Sequence, residues 1–184
     1  MKKIFSAVLV LLAFYQGFSQ TRYFTKTGNV GFSAGTPLED IGGFNKSANS
    51  VFDAGTGQLE FALLVKGFEF KSSLMQEHFN ENYMESDKYP KAVFKGKIVN
   101  IDKIDFQKPG EYTVIVAGTL TLHGIAREIE TRGIFRVSGG NAVSSTATFS
   151  VTLEDYKIAI PGLVKDKISK TARIKVDCNY NILK

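Results

Sequence analysis

The stretch YTVIVAGTLTL, residues 112–122, places Tyr112, Val114, Val116, Gly118, Leu120 and Leu122 at every second position. A two-residue period is that of an extended strand with one face turned towards a core. The same period recurs upstream in Leu59, Phe61, Leu63 and Val65. Downstream, Ile174, Val176, Cys178 and Tyr180 alternate with Arg173, Lys175, Asp177 and Asn179, the pattern of a strand with one dry and one wet face. Further strands are expected over Ala92–Ile101, Ile129–Val137 and Val143–Leu153, with shorter ones around Val30–Ser33 and Ser50–Asp53. Turn signals stand at Pro109-Gly110, Ser138-Gly139-Gly140-Asn141 and Pro161-Gly162. Many antiparallel strands with short turns and little helix form a sandwich or a closed barrel. The length of these strands favours the barrel, because closure removes exposed edges.

Two segments do not alternate. Thr36–Asn49, TPLEDIGGFNKSAN, reads as a turn or a short helix opened by Thr36-Pro37 and ended at Gly42-Gly43. Leu74–Pro90, LMQEHFNENYMESDKYP, reads as a helix capped by Ser72 or Ser73, with a lead-in to the strand that Tyr89-Pro90 launches. Helical spacing puts Leu74 and His78 on one face and Met75 and Phe79 on an adjacent one.

The chain opens with Lys2 and Lys3, the apolar run Ile4–Tyr15, and a polar break at Gln16-Gly17-Phe18-Ser19-Gln20. This is the layout of a signal for export, which predicts a signal peptide over residues 1–19, one domain over 20–184 and a periplasmic or extracellular destination. The apolar run is too short for a membrane span, and no cysteine follows it to carry a lipid anchor. Cys178 is the single cysteine of the 184 residues, so the fold is held by packing and not by an internal disulfide. The formal charge of +5 falls to +3 without Lys2 and Lys3, and the basic residues are scattered among acidic ones. Nucleic acid is therefore not an expected partner, whereas the small positive balance is compatible with transient contact at a membrane.

No catalytic constellation emerges. His78 and His123 are the two histidines, and neither sits in a GxSxG elbow or an HExxH helix. His78 with Glu81 or Glu85 is a sparse set for a metal, so no metal site is assigned. His123, at the end of TLTL and before Gly124, reads either as an imidazole that fixes a hairpin at a barrel rim or as a ligand-contacting group. His78 reads either as filler on an amphipathic helix or, with Asn82, as a contact for the head group of an amphiphile. Three glycines also admit two readings. Gly96, Gly118 and Gly133 each fall on the apolar face of a strand, where they mark bends of a coiling wall or leave space for a guest. On the second reading, a leucine at Gly118 would fill the barrel and leave it folded.

The segments HFNENYMESDKYPKAVFKGKI, YTVIVAGTLTLHGIAREIE and ATFSVTLEDYKI together resemble the YceI-like family of secreted and periplasmic bacterial proteins. GNVGFSAGTPLEDIGGFN and FDAGTGQLEFALLVKGFEF are similar to its early strands. The resemblance implies an all-β fold: an eight-stranded antiparallel lipocalin-like barrel with one or two short helices. It implies binding without catalysis or resident cofactor, the guest being a long-chain isoprenoid lipid or isoprenoid quinone. The alternative is a solid-core envelope barrel acting in stress or protein interaction. The expected lining comprises Leu59, Phe61, Leu63, Phe94, Gly96, Val114, Val116, Gly118, Leu120, Gly133, Phe149 and Val151, with Phe79 and Tyr89 from the helix and its lead-in. His78 and Asn82 are the candidate head-group contacts, with the packing role of His78 left open. Nothing in the chain specifies an oligomeric state.

Overall fold

The computed structural model describes residues 21–138 and 142–183. The expected export signal over residues 1–19 and the turn residues Gly139, Gly140 and Asn141 lie outside the described residues. Eight strands run β1 (Arg22–Gly35), β2 (Gly42–Asp53), β3 (Gln58–Leu64), β4 (Lys91–Ile98), β5 (Gly110–Leu122), β6 (Ile125–Ser138), β7 (Ala142–Thr152) and β8 (Ile168–Ile182). Each pairs antiparallel with its neighbour in sequence, and β1 pairs with β8, giving a closed up-and-down barrel. Closure sets Val30 opposite Val176 and Phe32 opposite Ile174, which leaves no strand edge unpaired.

The two early strands are much longer than the sequence suggests. Inward positions of β2 are Gly43, Asn45, Ala48, Ser50 and Phe52, so small and polar residues hide the alternation. No helix forms between Thr36 and Asn49. Thr36 and Glu39 instead exchange backbone hydrogen bonds of 3.1 and 3.2 Å in a tight turn, and Gly42-Gly43 begins a strand instead of ending a helix. A Cβ on Gly42 would stand 2.6 Å from the Phe32 carbonyl oxygen, so the pairing with β1 requires glycine there. Asn45 is wholly buried, yet its polar atoms are satisfied: Nδ2 donates to the Leu64 carbonyl at 3.0 Å, and Oδ1 accepts from the Ser47 amide at 2.8 Å.

The expected helix is present as α1 (Ser73–His78), extended by a π-turn over Phe79–Tyr83. The Ser72 hydroxyl accepts from the Met75 amide and caps it. Side chains then fill one end of the barrel. Phe52 stacks on Tyr23 with ring centres 4.8 Å apart and meets Tyr180 and Phe135 edge-on at 4.9 and 5.1 Å. Phe106, from the connection between β4 and β5, lies over Tyr23 at 5.6 Å. Ser50 bridges the Glu60 carbonyl and the Tyr180 hydroxyl, satisfying the polar atoms in this plug. Cys178 is buried beside it, and desolvation there pushes its thiol up to about 11.

Gly96 and Gly118 face each other across β4 and β5, and both meet backbone. A Cβ on Gly96 would stand 2.8 Å from the Gly118 Cα, and one on Gly118 would collide with Gly96 Cα and Lys95 O. These two glycines therefore serve close backbone approach where the wall coils, and they open no room for a guest. Gly118→Leu is accordingly expected to cost at least about 1–3 kcal/mol in urea unfolding. Gly31→Ala, whose added methyl meets nothing closer than 3.9 Å, should stay near wild type. The thiol supplies a pH test: it stays protonated in the fold up to about 11 but ionises in the unfolded chain from 9.0. Its contribution to stability is complete below 9.0 and is lost as pH rises towards 11. At pH 8, iodoacetamide should label Cys178 only as fast as the chain unfolds.

Candidate functional site: a two-chambered apolar cavity

Beyond the aromatic plug the barrel is hollow. A cavity of about 170 Å³ occupies its middle, walled by Leu59, Phe61, Leu63, Phe94, Val114, Val116, Leu120, Gly133, Phe149 and Val151 among others. No charged side chain lines it. Inward residues such as Val116, Leu120, Phe149, Ile174 and Val176 are only half-buried, because their inner faces border this space. A second cavity of about 410 Å³ lies at the open end, under α1 and between the β1–β2 turn and the β7–β8 connection. Its wall includes Phe32, Phe70, Met75, Phe79, Met84 and Ile168, with Glu39, Ser72, His78, Tyr83 and Lys167 as the polar groups.

The chambers share Phe68, Leu122, Val151 and Ile174 as wall residues. Four phenylalanines cluster at this junction. Phe32 stacks on Phe79 at 5.4 Å, meets Phe68 edge-on at 5.4 Å and lies 5.8 Å from Phe70, and Phe70 lies 4.9 Å from Phe79. Phe79, from the helical cover, thus sits against rings carried by β1 and by the segment after β3.

Ten of the residues expected to line the barrel stand on the inner chamber, while Phe79 and His78 stand on the outer one. Four others do not line either chamber. Gly96 and Gly118 are occupied by backbone contact, as described above. Asn82 is exposed on the π-turn. Tyr89 packs edge-on against the His123 ring at 4.6 Å and covers Gly124, where a Cβ would come 2.5 Å from its ring. Sequence reasoning missed Val30, Phe32, Phe68 and Phe70, and left Ile174 and Val176 out of the wall. The last two were already visible as alternating apolar positions. Phe32 was hidden by the glycines and polar residues around it.

His123 is a structural residue with a long reach. With Gly124 it forms the two-residue turn joining β5 to β6, at φ 51° and 73°, the left-handed pair that a tight hairpin demands. Its ring is buried, with Nδ1 donating to the Tyr156 carbonyl at 2.9 Å and Nε2 lying 2.9 Å from Glu85 Oε2. Glu85 follows the π-turn and is itself left-handed at φ 41°. The imidazole therefore ties the hairpin to the end of the helical cover and to the segment after β7. It touches neither chamber. Among the described residues, no group of three or more His, Cys, Asp or Glu side chains gathers as a metal site would require.

A family model, the YceI-like domain, matches residues 25–180. The chain belongs to the YceI-like family. Solved structures share its fold. A polyisoprenoid-binding domain from Saccharophagus degradans implicated in plant cell wall breakdown superposes with a TM-score of 0.75 at 15% identity, over 89% of this chain and 99% of its own. BcnA of Burkholderia cenocepacia superposes with a TM-score of 0.68 at 15% identity, over 84% of this chain and 96% of its own. The Campylobacter jejuni YceI protein gives 0.53 at 17% identity, over 74% and 83%. Comparison with curated proteins gives no match.

Replacing His123 by alanine removes one buried and one part-buried hydrogen bond and puts a Cβ-bearing residue without a stabilising contact in a left-handed turn. The expected loss is about 1–3 kcal/mol, with faster amide exchange over residues 72–89. His123→Asn, which tolerates the backbone conformation, should lose less.

Proposed function

We propose that this YceI-like barrel is a non-enzymatic carrier or store for a long-chain isoprenoid lipid or isoprenoid quinone, held with its tail in the inner chamber and its head group in the outer one. The observation that carries this reading is the pair of adjoining chambers: no charged side chain lines the one at the depth of the barrel, whereas Glu39 and Lys167 line the one at its open end. Each methylene-sized group withdrawn from water is worth about 0.8 kcal/mol, so a tail of repeated branched units gains affinity from wall contact alone. The absence of charge in the inner chamber suits a hydrocarbon and penalises any polar group placed there. His78, Ser72 and Lys167 are within the wall that a head group would meet. The S. degradans relative, described as polyisoprenoid-binding, supports the same class of guest.

The basic, then apolar, then polar start of the chain supports export, and we place the protein in the periplasm or outside the cell. There a long hydrocarbon needs shielding from water.

Native mass spectrometry of protein purified from its own cellular setting, followed by lipid extraction, tests the proposal. The expected result is one stoichiometric hydrophobic molecule. Its reproducible absence would sink the reading. Ala147 lines the inner chamber, and Ala147→Phe is expected to place a ring in that space and lower lipid occupancy at least several-fold while the barrel still folds.

A further inference from the structure

Both groups that flank the buried His123 ring are hydrogen-bond acceptors. The Tyr156 carbonyl oxygen lies 2.9 Å from Nδ1, and Glu85 Oε2 lies 2.9 Å from Nε2. A carbonyl only accepts, and so does an ionised carboxylate. Glu85 is 43% exposed, and its other oxygen lies 3.5 Å from the Lys88 ammonium, so the carboxylate acts as the anion of an ion pair. Making both contacts at once therefore requires a hydrogen on each ring nitrogen, which is the imidazolium form. A neutral ring keeps one hydrogen, serves one acceptor and turns a lone pair towards the other.

The cover ends at this contact. Phe79, Tyr83 and Met84, which lead up to Glu85, belong to the wall of the outer chamber. Glu85 itself is left-handed at φ 41°, a conformation that a residue with a Cβ keeps only while its contacts hold it. Asp87 pairs with Lys66 and Tyr89 covers Gly124, but both lie beyond Glu85, which stands next to Met84 and so nearest the chamber wall along the chain. The titratable groups around the ring come from two sides. The cover brings Glu85, Lys88 and Tyr89, whose ring meets the imidazole edge-on. The segment after β7 brings Asp155, Tyr156 and Lys157, with Arg127 of β6 donating to the Asp155 carbonyl at 3.2 Å. Contact with Tyr89, then with Glu85, pushes the Lys88 ammonium up, and burial pushes the Tyr156 hydroxyl up, so both keep their protons while the imidazole loses one.

We infer that the His123–Glu85 contact is a proton-dependent latch on the outer chamber: it is shut while both ring nitrogens carry hydrogen, and loss of one hydrogen as pH rises frees the end of the cover and widens access to the mouth. The consequence for lipid exchange rests on the lipid-carrier reading. The latch itself is a property of the ring and its two acceptors.

Two measurements test this between about pH 5.5 and about pH 9, a range that spans the charge change of an imidazole. The nitrogen NMR shifts of the His123 ring report its form. Amide protection factors over residues 72–89, corrected for the intrinsic pH dependence of exchange, report the cover. In wild type, protection is expected to fall about fivefold or more as the ring becomes neutral, and uptake of a long-chain polyprenol from detergent should speed up with the same midpoint. Glu85→Gln is the decisive variant, because a glutamine side chain accepts from the imidazolium through its oxygen and donates to the neutral ring through its nitrogen. Its cover should stay equally protected across the range while the ring still titrates. Glu81→Gln, on an exposed carboxylate of the same cover, should follow wild type. A ring that keeps one form throughout, or wild-type protection that stays level while the ring changes form, overturns the latch. So does a Glu85→Gln cover that loosens with the wild-type midpoint. Protection that follows the ring as expected, with no polyprenol taken up at any pH, would refute the carrier reading and leave the latch standing.

Discussion

Closure of β1 on β8 is the constraint on which everything else in this molecule depends. The paired backbone groups along Val30–Ser33 and Arg173–Val176 convert a meander with two open edges into a wall without any. A sheet of these strands left open would offer its edges to other chains and its apolar face to water. Once closed, the same face encloses a volume, and the question becomes how much of it side chains fill.

The filling is uneven, and the chemistry of the early strands explains why. Aromatic rings from β1, β2, β6 and β8 converge around Phe52 and close one end. Through the middle, Ala92, Ala147 and Gly133 stand among the larger inward residues, which leave a cavity along the barrel axis. At the other end the wall is completed by a helix and a π-turn, whose Phe79 reaches a cluster of phenylalanines. One end is thus a packed core and the other a covered mouth. The solid-core alternative describes only the first half of the barrel.

The helical cover is joined to the barrel through polar contacts at its end and apolar ones at its middle. Glu85 reaches His123, which is held in turn by the Tyr156 carbonyl, while Tyr89 fills the space over Gly124. These contacts gather three separate stretches of chain at one point on the rim, away from both chambers. A histidine that invites a catalytic reading serves here to position the cover over the cavity. That position determines where the mouth lies.

From the amino-acid sequence alone, the alternation in Tyr112–Leu122, Leu59–Val65 and Ile174–Tyr180 determined an all-β fold, and the Ser72-Ser73 pair marked the start of its helix, with the structure selecting Ser72 as the cap. The parity of those strands also selected most of the inner wall, because side-chain direction in a strand is local geometry. The early strands were illegible, since glycine, asparagine and serine on the inner face of β2 carry no apolar period. Only the tertiary structure decided that Gly96 and Gly118 are contacts and not spaces. Gly96 and Gly118 oppose each other through strand register, a relation between residues distant in sequence that no local pattern encodes. The same holds for the cavity itself: an apolar face is written into each strand, but emptiness arises from the distance between faces, and closure alone sets that distance.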